Sequence, residues 1–196
     1  YGKEYVVIDT AGLKKRGKIY ENVEKYSSIR SIDSIERADV VLLMLDASTG
    51  ILEQDTHVGQ YIEEFNKPCI IVVNKWDLVE KDSKTMQKFE DEIRGYYKYL
   101  DFAPIVFVSA KENKRVQTLF PAINQAYEAY HKRIQTSVLN YVILDAMQMF
   151  PPSEFNGGKL RVYYASQVGV EPPTFSLFVN DPKFLHFSYY RYLEND

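Results

Sequence analysis

Four short apolar runs, YVVID (residues 5–9), VVLLMLD (40–46), CIIVVN (69–74) and PIVFVS (104–109), constrain this chain more than any other feature. Each is continuously aliphatic or β-branched instead of alternating, and runs of that kind suit strands covered on both faces, as in parallel sheets flanked by helices. Between them, apolar residues recur at helical spacing: Val23, Tyr26, Ile29, Ile32 and Ile35, then Val58, Tyr61, Ile62 and Phe65. Ser83 to Leu100 and Asn113 to Arg133 read as two further helices. The alternation predicts an α/β fold with an open sheet.

The style changes after His131-Lys132-Arg133. There the order becomes a helix to about Phe150, a Pro-Pro and Asn-Gly-Gly break, strands at 160–168 and 174–179, and a helix at 182–193. We therefore expect two domains, 1–133 and 134–196, the second a small α+β module. The 196 residues suffice for one larger domain and one small one. The longest aliphatic run, Val40 to Leu45, falls far short of the roughly 20 residues that span a bilayer, and no basic-then-apolar leader opens the chain, so a cytoplasmic protein with no membrane partner is expected. A formal net charge of −3 gives no case for indiscriminate attraction to nucleic acid. The single cysteine, Cys69, lies in an apolar run and reads as core, and His57, His131 and His186 lack metal-ligand spacing.

Polar residues cluster where the runs end. Asp9-Thr10-Ala11-Gly12 closes the first, Asn74-Lys75-Trp76-Asp77 the third and Ser109-Ala110-Lys111 the fourth. Open α/β sheets bind ligands outside the carboxyl ends of their strands. If the ligand is GTP, each group has a task. Asp9 can hold magnesium through water, and Gly12, with no Cβ, lets its N–H approach a terminal phosphate. Asp77 offers two acceptor oxygens to the paired N1–H and NH₂ donors of guanine, a pair that adenine lacks. Asn74 can brace the loops, the Lys75 stem can lie over the base, and the Ala110 N–H can face the guanine oxygen. The same residues could instead be turn and helix-cap positions. The order and spacing of the three clusters favour GTP.

With DTAG, NKWD and SAK in that order, and with the tail LRVYYASQVGVEPPTFSLFVNDPKFLHFSYYRYLEN, the chain resembles the second GTPase domain and the C-terminal KH-like domain of the Der (EngA) double-GTPase family. The resemblance covers essentially the whole chain. It implies a P-loop-type GTPase sheet followed by a KH-like domain, and a GTP-binding, GTP-hydrolysing switch that assists maturation of the large ribosomal subunit. The implied partners are GTP or GDP, that subunit and its rRNA, and the other GTPase domain of the same protein. The candidate GTP-binding residues are Asp9, Thr10, Ala11, Gly12, Leu13, Asn74, Lys75, Trp76, Asp77, Ser109, Ala110 and Lys111, with Asp9 the magnesium residue.

The chain departs from the family pattern in several places. No G-x-x-x-x-G-K-[ST] occurs, so the first strands and phosphate loop are absent, which leads us to expect that upstream residues precede Tyr1, that the chain alone is inactive and that its sheet lacks a central strand. The tail, compared with the family, is expected to be truncated at its C-terminus. Leu13 stands where Ras-like GTPases place a glutamine that orients the attacking water. No catalytic residue is identified, and the resemblance implies potassium or another segment in its place, with slow hydrolysis. The basic run Lys14, Lys15, Arg16 and Lys18 is either a solvated loop or a contact for rRNA or the neighbouring domain. In the tail, Gly157 and Gly158 replace the usual G-x-x-G clamp, and residues 134–196 carry a net charge of −2. Tyr163, Tyr164, Tyr189, Tyr190 and Tyr192 fit core or domain-interface positions better than base stacking. The rival reading is a noncatalytic ribosome-docking or RNA-binding module with a vestigial nucleotide site.

Overall fold

The structure, a computed structural model, describes residues 3–8 and 32–195. The chain divides into two compact units, Tyr1–Ala129 and Tyr130–Asp196.

In the first unit, β1 (Val41–Asp46), β2 (Cys69–Asn74) and β3 (Ile105–Phe107) form a parallel sheet in that order. Helical segments follow or precede them: α1 (residues 32–37), α2 (Glu53–Glu64), α3 (Thr85–Tyr96) and α4 (Leu119–Tyr130). The last two are shorter than their apolar spacing predicts. The 3₁₀ turn Lys98–Leu100 follows α3, and before α4 the chain passes through Asn113 and Arg115, both at positive φ. The CIIVV run behaves as its composition requires: Cys69 to Val73 are at most 1% exposed, because both faces of β2 are covered. On one face Leu43, Leu45, Ile71, Val73 and Phe107 pack with Ile62, Ile93, Tyr97 and Leu100. On the other, Ile70, Val72 and Val108 meet Leu119, Ala122, Ile123 and Ala126. Burial pushes the Cys69 thiol up to about 12, which makes it an inert core group.

Two expectations about strands are corrected. Residues 3–8 form no strand, and Val6 and Val7 are 93% and 86% exposed. A β-branched run becomes a strand only where a neighbour offers a ladder, and among the described residues none faces it. The segment is held by side chains instead. The Tyr5 hydroxyl donates to Asn124 Oδ1 at 3.0 Å, its ring meets Phe120 at 5.4 Å, and Lys3 pairs with Glu128 at 3.1 Å. Likewise, among the described residues, one face of β1 is only partly covered. Leu42 and Met44 share the α4 side with Ile70 and Val72 but remain 37% and 49% exposed.

Gly59 of α2 lies against buried Tyr97. A Cβ there would come within 2.8 Å of both Tyr97 Cε1 and the Tyr99 hydroxyl, which donates to the Thr56 carbonyl at 3.1 Å. Alanine improves helix propensity by about 1 kcal/mol, but overpacking against a ring that cannot move costs about 1–3 kcal/mol. Gly59→Ala is therefore expected to destabilise the first unit by a net of about 1 kcal/mol, read as a lower urea midpoint. An unchanged or raised midpoint would show that the tyrosines yield.

The second unit contains α5 (Thr136–Met149), a short hairpin of β4 (Glu154–Phe155) and β5 (Gly158–Lys159), a longer antiparallel pair of β6 (Val162–Val170) and β7 (Pro173–Val179), and α6 (Phe187–Asn195). Leu139, Ile143 and Ala165 form its core with Val162 and Leu177. The β4–β5 hairpin forms at the break expected around Asn-Gly-Gly. Asn156 and Gly157 have φ of 52° and 80°, the paired positive values a tight two-residue hairpin turn demands. Gly158 is needed for packing, since a Cβ there would fall 2.3 Å from the Phe184 ring. Of the tail tyrosines, Tyr189 and Tyr192 donate to the Phe150 and Ala146 carbonyls, whereas Tyr163, Tyr164 and Tyr190 are exposed at 68%, 45% and 48%.

Candidate guanine-nucleotide site

At the carboxyl end of β2 the chain turns sharply. Lys75 takes φ of 59°, left-handed for a residue with a side chain, and the 3₁₀ turn Trp76–Leu78 follows. The Trp76 N–H donates to the Val108 carbonyl at 3.1 Å, which brings this turn beside the loop that leaves β3. That loop closes on itself through a Ser109–Lys114 bridge.

Side chains then join the two turns. Ser109 Oγ, 2% exposed as a residue, donates to Asp77 Oδ1 at 2.6 Å. The same oxygen accepts the Glu112 N–H at 3.2 Å, so its own hydrogen is free for Asp77. Asn74 Oδ1 accepts the Ala110 N–H at 3.1 Å. The Ser109 hydrogen bond, helped by the more distant Lys111 and Lys81 charges, holds the Asp77 carboxyl below the usual carboxylate range. An ionised Asp77 is an acceptor-only group, as a ligand edge bearing two donors would require.

Of the sequence-predicted residues, Asn74, Asp77, Ser109 and Ala110 thus meet, and some contacts differ from those expected. Ala110 was expected to offer its N–H to a base, but the structure gives that N–H to Asn74. Trp76 turns inward, 8% exposed, and packs on Phe107 and Phe89 at ring distances of 4.5 and 5.2 Å. Lys75 Nζ reaches Asp46 Oδ2 at 2.5 Å. Asp46 was missed by the sequence reading; its only signal was an acid ending the run VVLLMLD. Its carboxyl is lowered to about 2, first by Lys75 and then by Ser48. With the folded value below the unfolded one, its stabilisation is complete above about pH 4 and fades as pH falls towards 2.

Asp9, Thr10, Ala11, Gly12 and Leu13, with the basic run at 14–18, lie outside the described residues. Among the described residues no group of three or more His, Cys, Asp or Glu is placed to hold a metal ion, and no helix is long and apolar enough to cross a membrane.

A parallel sheet whose strand ends carry N-K-x-D tied to S-A-K has the fold of a GTP-binding domain. Residues 3–129 match the elongation factor Tu GTP binding domain, and residues 133–196 match the KH-domain-like C-terminal region of EngA bacterial GTPase enzymes. The chain belongs to the Der (EngA) family of GTPases. It is 55% identical over 194 residues to GTPase Der of Bacillus cytotoxicus and 57% identical over the same length to GTPase Der of Staphylococcus aureus. Each match covers 99% of this chain but 44% of the relative, so the chain spans less than half the length of these curated relatives. Two crystal structures share the fold. Era in complex with MgGDPNP and a 16S ribosomal RNA segment has a TM-score of 0.53 at 23% identity, covering 84% of this chain and 57% of Era. A variant of Aquifex aeolicus Era bound to GDP·AlF₄⁻ has a TM-score of 0.52 at 22% identity, covering 87% and 59%.

Proposed function

We propose that the chain is a portion of a GTP-binding and GTP-hydrolysing switch that acts in the cytoplasm on maturation of the large ribosomal subunit. Residues 1–133 would supply part of the GTPase domain and residues 134–196 the KH-like domain. The observation that carries this reading is the Ser109–Asp77 hydrogen bond, which orients one carboxylate beside the Asn74–Ala110 link. That arrangement suits the two-donor edge of guanine. Asp9 would hold magnesium through water, and Thr10, Ala11 and Gly12 would lie along the phosphates. Leu13 cannot orient water, so hydrolysis would be slow and stimulated by potassium. Era, which shares the fold, binds both MgGDPNP and ribosomal RNA, which supports an RNA-containing partner for this chain as well.

The test uses protein that also carries upstream residues with a phosphate-binding loop. GTP-bound protein is expected to co-sediment with large-subunit particles more tightly than GDP-bound protein. Because a ligand shifts an equilibrium only through contacts that differ between states, the run at Lys14 to Lys18, which follows Asp9-Thr10-Ala11-Gly12 in the sequence, is the proposed source of the difference. Neutralising Lys14, Lys15 and Arg16 together should shrink the GTP-to-GDP difference severalfold and flatten its salt dependence. Particle binding indifferent to nucleotide would favour a ribosome-docking module with a vestigial site.

A further inference from the structure

We propose that Asp46 is a positioning residue of the nucleotide site, acting through Lys75, whose side chain it holds in place before the base arrives. The proposal rests on the guanine-site reading above and deepens it.

Two constraints, one on the backbone and one on the side chain, fix the Asp46 carboxylate. Its backbone forms the last rung of the β1–β2 ladder, opposite Asn74, and the Ala47 N–H extends that pairing to the Asn74 carbonyl at 2.9 Å. Its Oδ1 accepts both the Ser48 N–H at 2.9 Å and the Ser48 hydroxyl at 2.6 Å. That leaves Oδ2 for Lys75 Nζ at 2.5 Å. On the other side, the left-handed backbone at Lys75 turns its side chain away from the course a continuing strand would give it. The pair therefore joins a carboxylate locked by strand register to a lysine launched by an unusual turn.

A lysine stem has several freely rotating bonds. If it is to cover the face of a base, that freedom must be given up on binding, which weakens affinity. An ammonium already anchored at its far end has surrendered the freedom in the unliganded protein. Asp46 touches no base in this arrangement, and its effect passes through the Lys75 amine. The charge matters because a neutral amide at 46 keeps the shape and the Ser48 bonds but loses most of the attraction.

The experiment is a double-mutant cycle in protein that carries the upstream phosphate-binding loop, with ribose-labelled fluorescent GDP as probe. Asp46→Asn is expected to weaken binding by about five- to tenfold, chiefly through faster dissociation. In a Lys75→Met background the same change should weaken it by less than about twofold. Equal losses in the two backgrounds would overturn the proposal, because a merely structural Asp46 acts whether or not the lysine is present. If Asp46→Asn does not fold, Asp46→Glu, which keeps the charge and displaces it by one methylene, enters the same cycle with the same two outcomes. Wild-type protein that fails to prefer guanine over adenine nucleotides would instead refute the base-site reading. Guanine preference with additive losses refutes only the role of Asp46.

Discussion

Asp77→Asn is expected to lower GTP affinity by about a hundredfold or more and to raise affinity for xanthosine triphosphate. The hydrogen-bond order around residue 77 decides the direction. Ser109 Oγ receives the Glu112 N–H and must therefore donate to residue 77. An asparagine would satisfy Ser109 with its oxygen and turn its NH₂ towards the ligand. That NH₂ meets the exocyclic donor of guanine, a donor–donor clash, but it complements the C2 oxygen of xanthine. Nucleotide titration of both triphosphates measures the switch, again in protein carrying the phosphate-binding loop. Unchanged GTP affinity with no gain for the xanthine nucleotide would remove Asp77 from base recognition.

Asn140→Ala should destabilise the second unit by about 2–4 kcal/mol. Asn140 Oδ1 accepts the Ala165 N–H at 2.8 Å, while its Nδ2 donates to the Ala165 carbonyl at 2.8 Å and the Thr136 carbonyl at 2.7 Å. Ala165 is fully buried. The side-chain amide therefore serves the outer edge of β6 as a one-residue strand would, and alanine leaves a buried N–H and a buried C=O without partners. Gln167 repeats the device nearby. Its Oε1 accepts the Ile134 N–H at 2.7 Å, and its Nε2 donates to the carbonyls of Lys132 and Gly169. Amide exchange should show protection lost at Ala165 and its neighbours while the β1–β2 amides stay protected. Full protection at Ala165 in the variant would show that its backbone groups find other partners.

That the Asn74–Asp77 and Ser109–Ala110 turns are polar and close the second and third described strands was legible, because it lies in residue identity at strand ends. CIIVVN ends in Asn74 at the carboxyl end of a covered strand, and Asp77 follows three residues on. What was not legible depends on partners far away in sequence. Trp76 sits in the same tetrapeptide as Asp77, yet it packs into the core against Phe89 and Phe107. The Ala110 N–H is engaged by Asn74, across a separation of 36 residues. Nothing in the local pattern singles out Asn140, whose amide meets Ala165 across 25 residues, or Gln167, whose amide meets Ile134 across 33.

The sequence by itself determined the parallel β-sheet framework, the burial of β2, the N-K-x-D and S-A-K turns, and the change of architecture in the tail, because periodicity and turn chemistry are local properties of the chain. Only the tertiary structure decided which turns bond to which, that Lys75 belongs to Asp46, that the apolar residues 5–8 form no strand, and that Asn156 and Gly157 turn a hairpin whose Gly158 lies against Phe184. Those outcomes depend on strand register and on which backbone groups still lack a partner, and both are set by the packing of segments that the local pattern cannot relate to one another.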